Sequence, residues 1–419
     1  MIPEQKAKLC SGSTSRADTC DRLSDLPDGI LHVVMSFLPA RHAVQTSVLS
    51  RRWRNLWCSM PSISINEREF EVRGYCQIQE RWDEFEDFIT NLLSYRCNSV
   101  SLDRFQIYAH SHSQQTVDRW IRHSIEYCPT VLKIEIPCYH DDAPLSLKLP
   151  YLGSSFCRLK KLSLSHLVLD NHFAELLCSG CSALVDLELV NCFNCFQHIA
   201  STTLTRLVVN TCFNENDAVD PMVITAPSLA YLKLVIQDTI YRHGISVCNV
   251  SSLVEASIYM QYNEDFPAKY QRRLLSGLFS VTSLELTHFE TMAMLNKNSD
   301  GFPIFLNMRY LSLESCFLDD ECDLDSKLED LGSFLENAPC LEKLTLQRCM
   351  FCVDPDWEWD VKRKSINLQR LDGKTFHCLK LQMIEVLYED DHEHLLVELL
   401  WGLARRLPDP SIKLTKIFR

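Results

Sequence analysis

A template of the form L-x-x-L-x-L, with Val, Ile, Met or Ala admitted at the apolar positions, recurs nine times between residues 131 and 346. The units are Val131-x-x-Ile134-x-Ile136, Leu159-x-x-Leu162-x-Leu164, Leu184-x-x-Leu187-x-Leu189, Leu204-x-x-Leu207-x-Val209, Leu229-x-x-Leu232-x-Leu234, Leu253-x-x-Ala256-x-Ile258, Val281-x-x-Leu284-x-Leu286, Met308-x-x-Leu311-x-Leu313 and Leu341-x-x-Leu344-x-Leu346. An irregular earlier unit surrounds Val100 and Leu102. The spacing is 20 to 33 residues. Each unit predicts a short strand with alternate residues buried, followed by a return segment, as in residues 171–178 and 326–336. One unit cannot cover its own apolar face, so neighbours must stack into a solenoid with a curved parallel sheet. The expected fold class is α/β.

Ahead of the repeats, residues 21–60 hold Leu26-Pro27-Asp28, Ile30-Leu31, Val34, Phe37-Leu38-Pro39, Ala43-Val44, Ser47, Leu49-Ser50, Arg52-Trp53-Arg54 and Leu56-Trp57. Some forty residues are too few for an ordinary core, yet this stretch is dense in large apolar groups. Such a unit should bury its surplus on a partner. Asp25 is the expected N-cap of a first helix, with Pro27 in its first turn. Ile30, Leu31, Val34, Phe37 and Leu38 read as one apolar face, and Pro39 stops the helix. A second short helix carries Ala43, Val44 and Ser47. A third, from about Arg51, carries Trp53, Leu56 and Trp57.

These residues resemble the F-box motif of the plant type: its Leu-Pro-Asp start, its Ala-Val-x-Thr-Ser-Val-Leu-Ser core and its Arg-Trp-Arg-x-Leu-Trp end. The resemblance implies docking onto a Skp-family adaptor and, through it, a cullin in an SCF-type ubiquitin ligase. The matching positions are Leu26, Pro27, Ile30, Leu31, Val44, Ser47, Trp53, Leu56 and Trp57. The repeats resemble the leucine-rich-repeat domain that follows the F-box in many plant F-box proteins. Near the end, Leu379, Leu381, Met383, Ile384 and Val386 predict a strand, and Leu395 to Leu403 a helix. That order resembles the FBD-type closing segment, which would cap the last repeat.

The expected organisation is a disordered leader at 1–20, the F-box at 21–60 and a linking strand and helix at 61–97. The linker's helix carries Trp82, Phe85, Phe88, Ile89 and Leu92. The solenoid then covers 98–370 and the FBD-like cap 371–419. A net charge of -13 argues against nonspecific binding to nucleic acid or anionic membrane. No run reaches eighteen apolar residues, and the N-terminus lacks a signal-peptide core. The 20 cysteines therefore read as reduced thiols of the nucleus or cytoplasm.

Two features invite metal chemistry. Cys178-x-x-Cys181 followed by Cys192-x-x-Cys195 matches zinc spacing. The repeat register gives a better account: Cys192, Cys212, Cys316 and Cys349 each lie eight residues after the first apolar position of a unit, and Cys181 and Cys128 lie three before one. Cysteine there acts as a small buried residue. His392-Glu393-His394 lacks the second His of an H-E-x-x-H helix and fits the acidic first turn of the last helix. With 11 glycines in the chain, no phosphate loop or nucleophile elbow is visible. No catalytic residue, cofactor or metal is expected.

The register also names the outward positions of the sheet, among them Lys133, Lys161, Asp186, Glu188, Arg206, Tyr231, Lys233, Glu255, Tyr259, Glu285, Tyr310 and Lys343. They form no sustained basic stripe. Tyr231, Tyr259 and Tyr310 are candidate anchors for a protein target, and Trp357 and Trp359, in an acidic loop, are a second candidate. The expected function is substrate recognition for a ubiquitin ligase, with a small-molecule-sensing receptor or a non-degradative scaffold as the alternatives.

Overall fold

The computed structural model describes residues 23, 25–70, 78–97, 100–110, 114–137, 145–146, 157–214, 221–237, 241, 243–261, 268–289, 302–317, 324–350, 378–388, 393–406 and 411–417. Among these residues thirteen strands form one sheet in strict chain order. They are β1 (Ser62–Asn66), β2 (Arg104–Tyr108), β3 (Val131–Glu135), β4 (Lys161–Ser165), β5 (Asp186–Val190), β6 (Arg206–Asn210) and β7 (Tyr231–Gln237). Then follow β8 (Glu255–Gln261), β9 (Ser283–Thr287), β10 (Tyr310–Glu314), β11 (Lys343–Gln347), β12 (Met383–Tyr388) and β13 (Ser411–Lys416). All neighbours pair in parallel, so the second apolar position of each template forms one row. Leu162, Leu187, Leu207, Leu232, Ala256, Leu284, Leu311, Leu344 and Ile384 face one another in turn. Every one of them is buried in a single continuous core. The stacking that a lone repeat requires is what this row supplies.

The register differs from the sequence expectation in the first unit. Leu132 and Ile134, not Ile134 and Ile136, pair with Leu162 and Leu164, because Pro129 stands where the template has its first leucine. The slip is two residues. A two-residue slip keeps every side chain on its own face, so Lys133 and Glu135 still point outward. It also removes Cys128 from the slot shared by Cys181, Ala226, Val250 and Ala338, all four of which are buried.

Six strands leave the sheet through one turn. His166, Asn191, Thr211, His288, Ser315 and Arg348 all lie seven residues after a template start, and all have φ between 49° and 61°. The next residue, Leu167, Cys192, Cys212, Phe289, Cys316 or Cys349, is driven into the core. The thiols also bind backbone. Cys192 Sγ donates to the Leu164 carbonyl at 3.4 Å, Cys316 Sγ to Leu286 at 3.5 Å and Cys349 Sγ to Leu313 at 3.2 Å, each in the preceding coil. Burial pushes the Cys316 thiol well up. Among the described residues no three His, Cys, Asp or Glu side chains are grouped to hold a metal ion.

Eight helices are described: α1 (Asp28–Ser36), α2 (Ala40–Gln45), α3 (Ile78–Ser94), α4 (Gln114–Glu126), α5 (Asn171–Glu175), α6 (Ala268–Ser276), α7 (Leu324–Glu336) and α8 (Glu393–Arg406). α3 buries Trp82, Phe85, Ile89 and Leu92 as the sequence predicts. Asp170 caps α5, accepting from Phe173 N at 3.0 Å. In the middle coils the returns are short strands instead: His198–Ala200, Met222–Thr225 and Ile245–Cys248 form a second small parallel sheet.

The expected C-terminal strand and helix are β12 and α8. α8 lies beside α7, where Arg406 Nη2 reaches Asp325 Oδ1 at 3.1 Å. The sheet then continues to β13, which the sequence reading omitted. Only Ile412 and Leu414 alternate there, too short a run to recognise. Glu385 of β12 holds β13 in place: Oε2 accepts from Lys343 Nζ at 2.6 Å, and Oε1 from Lys413 Nζ at 2.7 Å and Thr415 Oγ1 at 2.9 Å. Hydrogen bonds from Lys343, Lys413 and Thr415 pull the Glu385 carboxyl down to about 2. A carboxyl depressed in the folded state stabilises above its unfolded pKa, and that stability is lost as pH falls from about 4.5 towards about 2. Glu385→Gln therefore costs about 1–2 kcal/mol at pH 7, after allowance for solvent screening of the lysines. The gap from wild type closes across that acid range, as a pH series of thermal unfolding would show.

Candidate functional site

The N-terminal helices build a small core of their own. Leu31, Met35, Ala43, Trp53, Leu56 and Met60 are buried together, with Leu26, Leu38 and Trp57 packed on them. Pro27, not Asp25, is the N-cap residue of α1, with extended ψ and no side-chain cap. Asp25 falls too early, and the helix start is held from outside. Arg52 Nη2 donates to Asp28 Oδ1 at 2.7 Å and also to the Leu26 carbonyl. A side-chain contact closes the far side of the unit, where His32 Nε2 is 3.1 Å from Ser59 Oγ.

α1 has two apolar faces where the sequence reading saw one. Leu31 and Met35 point in, whereas Ile30, Val33, Val34 and Phe37 point out at i, i+3, i+4 and i+7. Residues one apart on a helix lie about 100° apart, so Ile30 and Leu31 cannot share a face. Val48 and Leu49, after α2, are exposed apolar residues of the same helical unit. Phe37 and Val48 are 83% and 84% exposed. Apolar groups this open, six within twenty residues, mark a surface meant to be covered.

Of the nine positions matched to adaptor docking, Leu31, Trp53 and Leu56 are therefore buried and shape the unit from beneath. Pro27 and Ile30 are exposed, and Leu26, Val44, Ser47 and Trp57 are half-buried. Val33, Val34, Phe37, Val48 and Leu49 were absent from that set. The i, i+3, i+4, i+7 spacing from Ile30 to Phe37 was the signal that could have found the first three.

This unit is fastened to the solenoid. α2 packs on β1, Ala40 belongs to the main core, and Val44 and Trp57 lean on it. Arg41 Nη1 donates to the Glu69 carbonyl at 2.6 Å, and its guanidinium lies 4.4 Å over the Phe70 ring. The helical unit thus covers the first edge of the sheet, an edge that would otherwise invite pairing.

The second face is the open side of the sheet. Tyr231, Glu255, Ser283, Tyr310 and Lys343 stand in one row across β7 to β11. Tyr231 is half-buried, with the Arg206 guanidinium 5.0 Å from its ring. Tyr259 is half-buried and meets the His288 ring edge-to-face at 5.3 Å. Tyr310 alone of the three is largely open, 47% exposed, and lines a cavity of about 240 Å³ with Glu255, Glu285, Ser312, Lys343 and Thr345. Trp357 and Trp359 lie outside the described residues.

The family model of the F-box domain matches residues 23–64, the helical unit and the start of β1. A "MEIOTIC F-BOX protein MOF" of Oryza sativa subsp. japonica is 33% identical over 359 residues, covering 79% of this chain and 72% of that protein. The chain belongs to the plant F-box/leucine-rich-repeat proteins. An F-box/FBD/LRR-repeat protein of Arabidopsis thaliana is 28% identical over 356 residues, covering 78% of each chain. An F-box/LRR-repeat protein of the same plant is 26% identical over 359 residues, covering 78% of this chain and 73% of that one. F-box domains generally bind Skp-family adaptors in SCF ubiquitin ligases, and F-box proteins are generally non-catalytic adaptor subunits. Among the described residues no helix of this F-box protein is long and apolar enough to cross a membrane.

Proposed function

We propose that this F-box protein is the substrate-recognition subunit of an SCF-type ligase, in which α1 and Val48–Leu49 take the Skp-family adaptor and the open face of the sheet takes a protein target. The observation that carries the reading is the set of bare apolar side chains at Ile30, Val33, Val34, Phe37, Val48 and Leu49, on a helical unit fixed at one end of a long sheet with a polar open side. The chain does no bond chemistry in this scheme. It holds a target lysine near a ubiquitin-charged enzyme and so raises its effective concentration.

The cavity on the open face favours a protein target over a small-molecule sensor. At about 240 Å³ it lies below the range of roughly 300–1,000 Å³ usual for ligand pockets, and it admits a side chain. The test is capture by the full chain in plant cells with the proteasome blocked, followed by ubiquitin analysis of what is held. Captured proteins carry ubiquitin with the wild-type chain and lose it when residues 23–60 are deleted. Equal ubiquitin on both would overturn the reading and leave a scaffold.

A further inference from the structure

Carboxylates on the open face are paired almost everywhere. Asp186 binds Lys161 at 2.8 Å and Arg206 at 3.1 Å. Glu188 accepts from Ser163 at 3.0 Å, and Glu314 accepts from Gln347 at 2.7 Å. Glu385 holds two lysines. The exceptions among the described residues are Glu255 and Glu285, which are exposed and have no hydrogen-bond or ion-pair partner. Both line the hollow beside Tyr310 on this face.

The surroundings of the two carboxylates are specific. Glu255 and Glu285 sit on adjacent strands two residues out of step, which places their Cα atoms about 8 Å apart by sheet geometry. That gap lets one cation contact both. Tyr310 lies two strands from Glu255 in the same row, and Tyr231 is its immediate neighbour on the other side. Ser312 and Thr345 add hydroxyls to the wall. Of the two nearest cations, Lys343 is already engaged at 2.6 Å by Glu385, and Lys233, on the strand beside Glu255 and two residues out of step with it, forms no ion pair with it. An open aromatic ring beside two unpaired carboxylates attracts a cation through both the charge and the ring face.

We infer that this hollow receives a lysine or arginine side chain of the protein target, held between Glu255 and Glu285 against the Tyr310 ring. The inference rests on the substrate-recognition reading and names what that face recognises. Two carboxylates kept unpaired on a sheet that pairs its others have a partner from outside, and neutral or acidic segments gain nothing there.

The experiment uses the full chain and two pools of randomised dodecapeptides that differ at one central position, Lys or Arg in one and Gln in the other. The expected result is at least ten-fold greater retention of the basic pool. Glu255→Gln with Glu285→Gln removes that preference, while Glu84→Gln with Glu336→Gln, which changes net charge equally at exposed sites elsewhere, leaves it intact. Tyr310→Ala weakens it several-fold. Thermal unfolding of each variant shows that the sheet is folded. Equal retention of the two pools overturns the inference, as does an equal loss in the Glu84/Glu336 variant, which would reduce the effect to net charge. A basic preference in a chain that holds no adaptor still supports the hollow and counts against the ligase reading instead.

Discussion

Phe37→Asp combined with Val48→Asp lowers capture of a Skp-family adaptor by roughly a thousand-fold, with the thermal unfolding of the chain unchanged. The size follows from exposure. Each side chain is more than four-fifths open in the free protein, and fully burying a Phe or Val is worth about 1.5–3 kcal/mol. A carboxylate in its place adds desolvation without a partner. Together these exceed about 4 kcal/mol, or three decades in affinity. Fold stability changes by no more than about 0.5 kcal/mol, because neither side chain packs on its own protein. Leu31→Asp is the instructive contrast. Leu31 is buried in the helical core, so its replacement loses binding by unfolding the unit. Pull-down with a thermal scan separates the two cases.

Gly277→Ala destabilises the middle of the solenoid by about 3 kcal/mol, near the upper end for an added methyl group. Gly277 follows α6, where the chain passes against the strand Ile245–Cys248. A Cβ there would lie 2.3 Å from the Val247 carbonyl oxygen and 3.0 Å from its carbon. Backbone, unlike the end of a side chain, cannot swing aside, so helix and strand must separate and expose the core around Leu274, Leu275 and Val247. Gly29→Ala is the control. Nothing lies within 4 Å of its Cβ position, and alanine in a helix gains about 0.5–1 kcal/mol over glycine. Hydrogen exchange over residues 241–289 is expected to rise sharply in the first variant and not in the second.

The parallel sheet was legible in the sequence because its repeats are redundant. Nine templates agree, and a two-residue slip in one, at Pro129, leaves both faces of the sheet intact. The cysteines at offset eight were legible for the same reason, whereas Cys128 was misplaced by the slip at Pro129. Their hydrogen bonds to the preceding coil were not legible, because they depend on how coils stack. β13 escaped notice because an edge strand with one half-open face needs few apolar residues, and Ile412 and Leu414 are all it has.

The proposed docking face was legible in kind but not in detail. Sequence resemblance marks the residues that define a family, and it does not separate those that build the helical unit, such as Leu31, Trp53 and Leu56, from those that remain bare, such as Phe37 and Val48. A helix with apolar groups on two sides needs a structure to say which side is already covered. The same holds on the open face. Glu255 and Glu285 look like any other carboxylates in sequence, and only the structure shows that neither bonds the serines opposite it, Ser283 for the first and Ser257 and Ser312 for the second.

Hydrogen–deuterium exchange of the full chain, with and without a saturating Skp-family adaptor, tests the central claim most directly. The predicted result is protection confined to peptides spanning Ile30–Phe37 and Val48–Leu49, with the strands of the sheet unchanged. Exchange at those peptides that is the same with and without adaptor, or protection that falls on the open face from β7 to β11 instead, would contradict it.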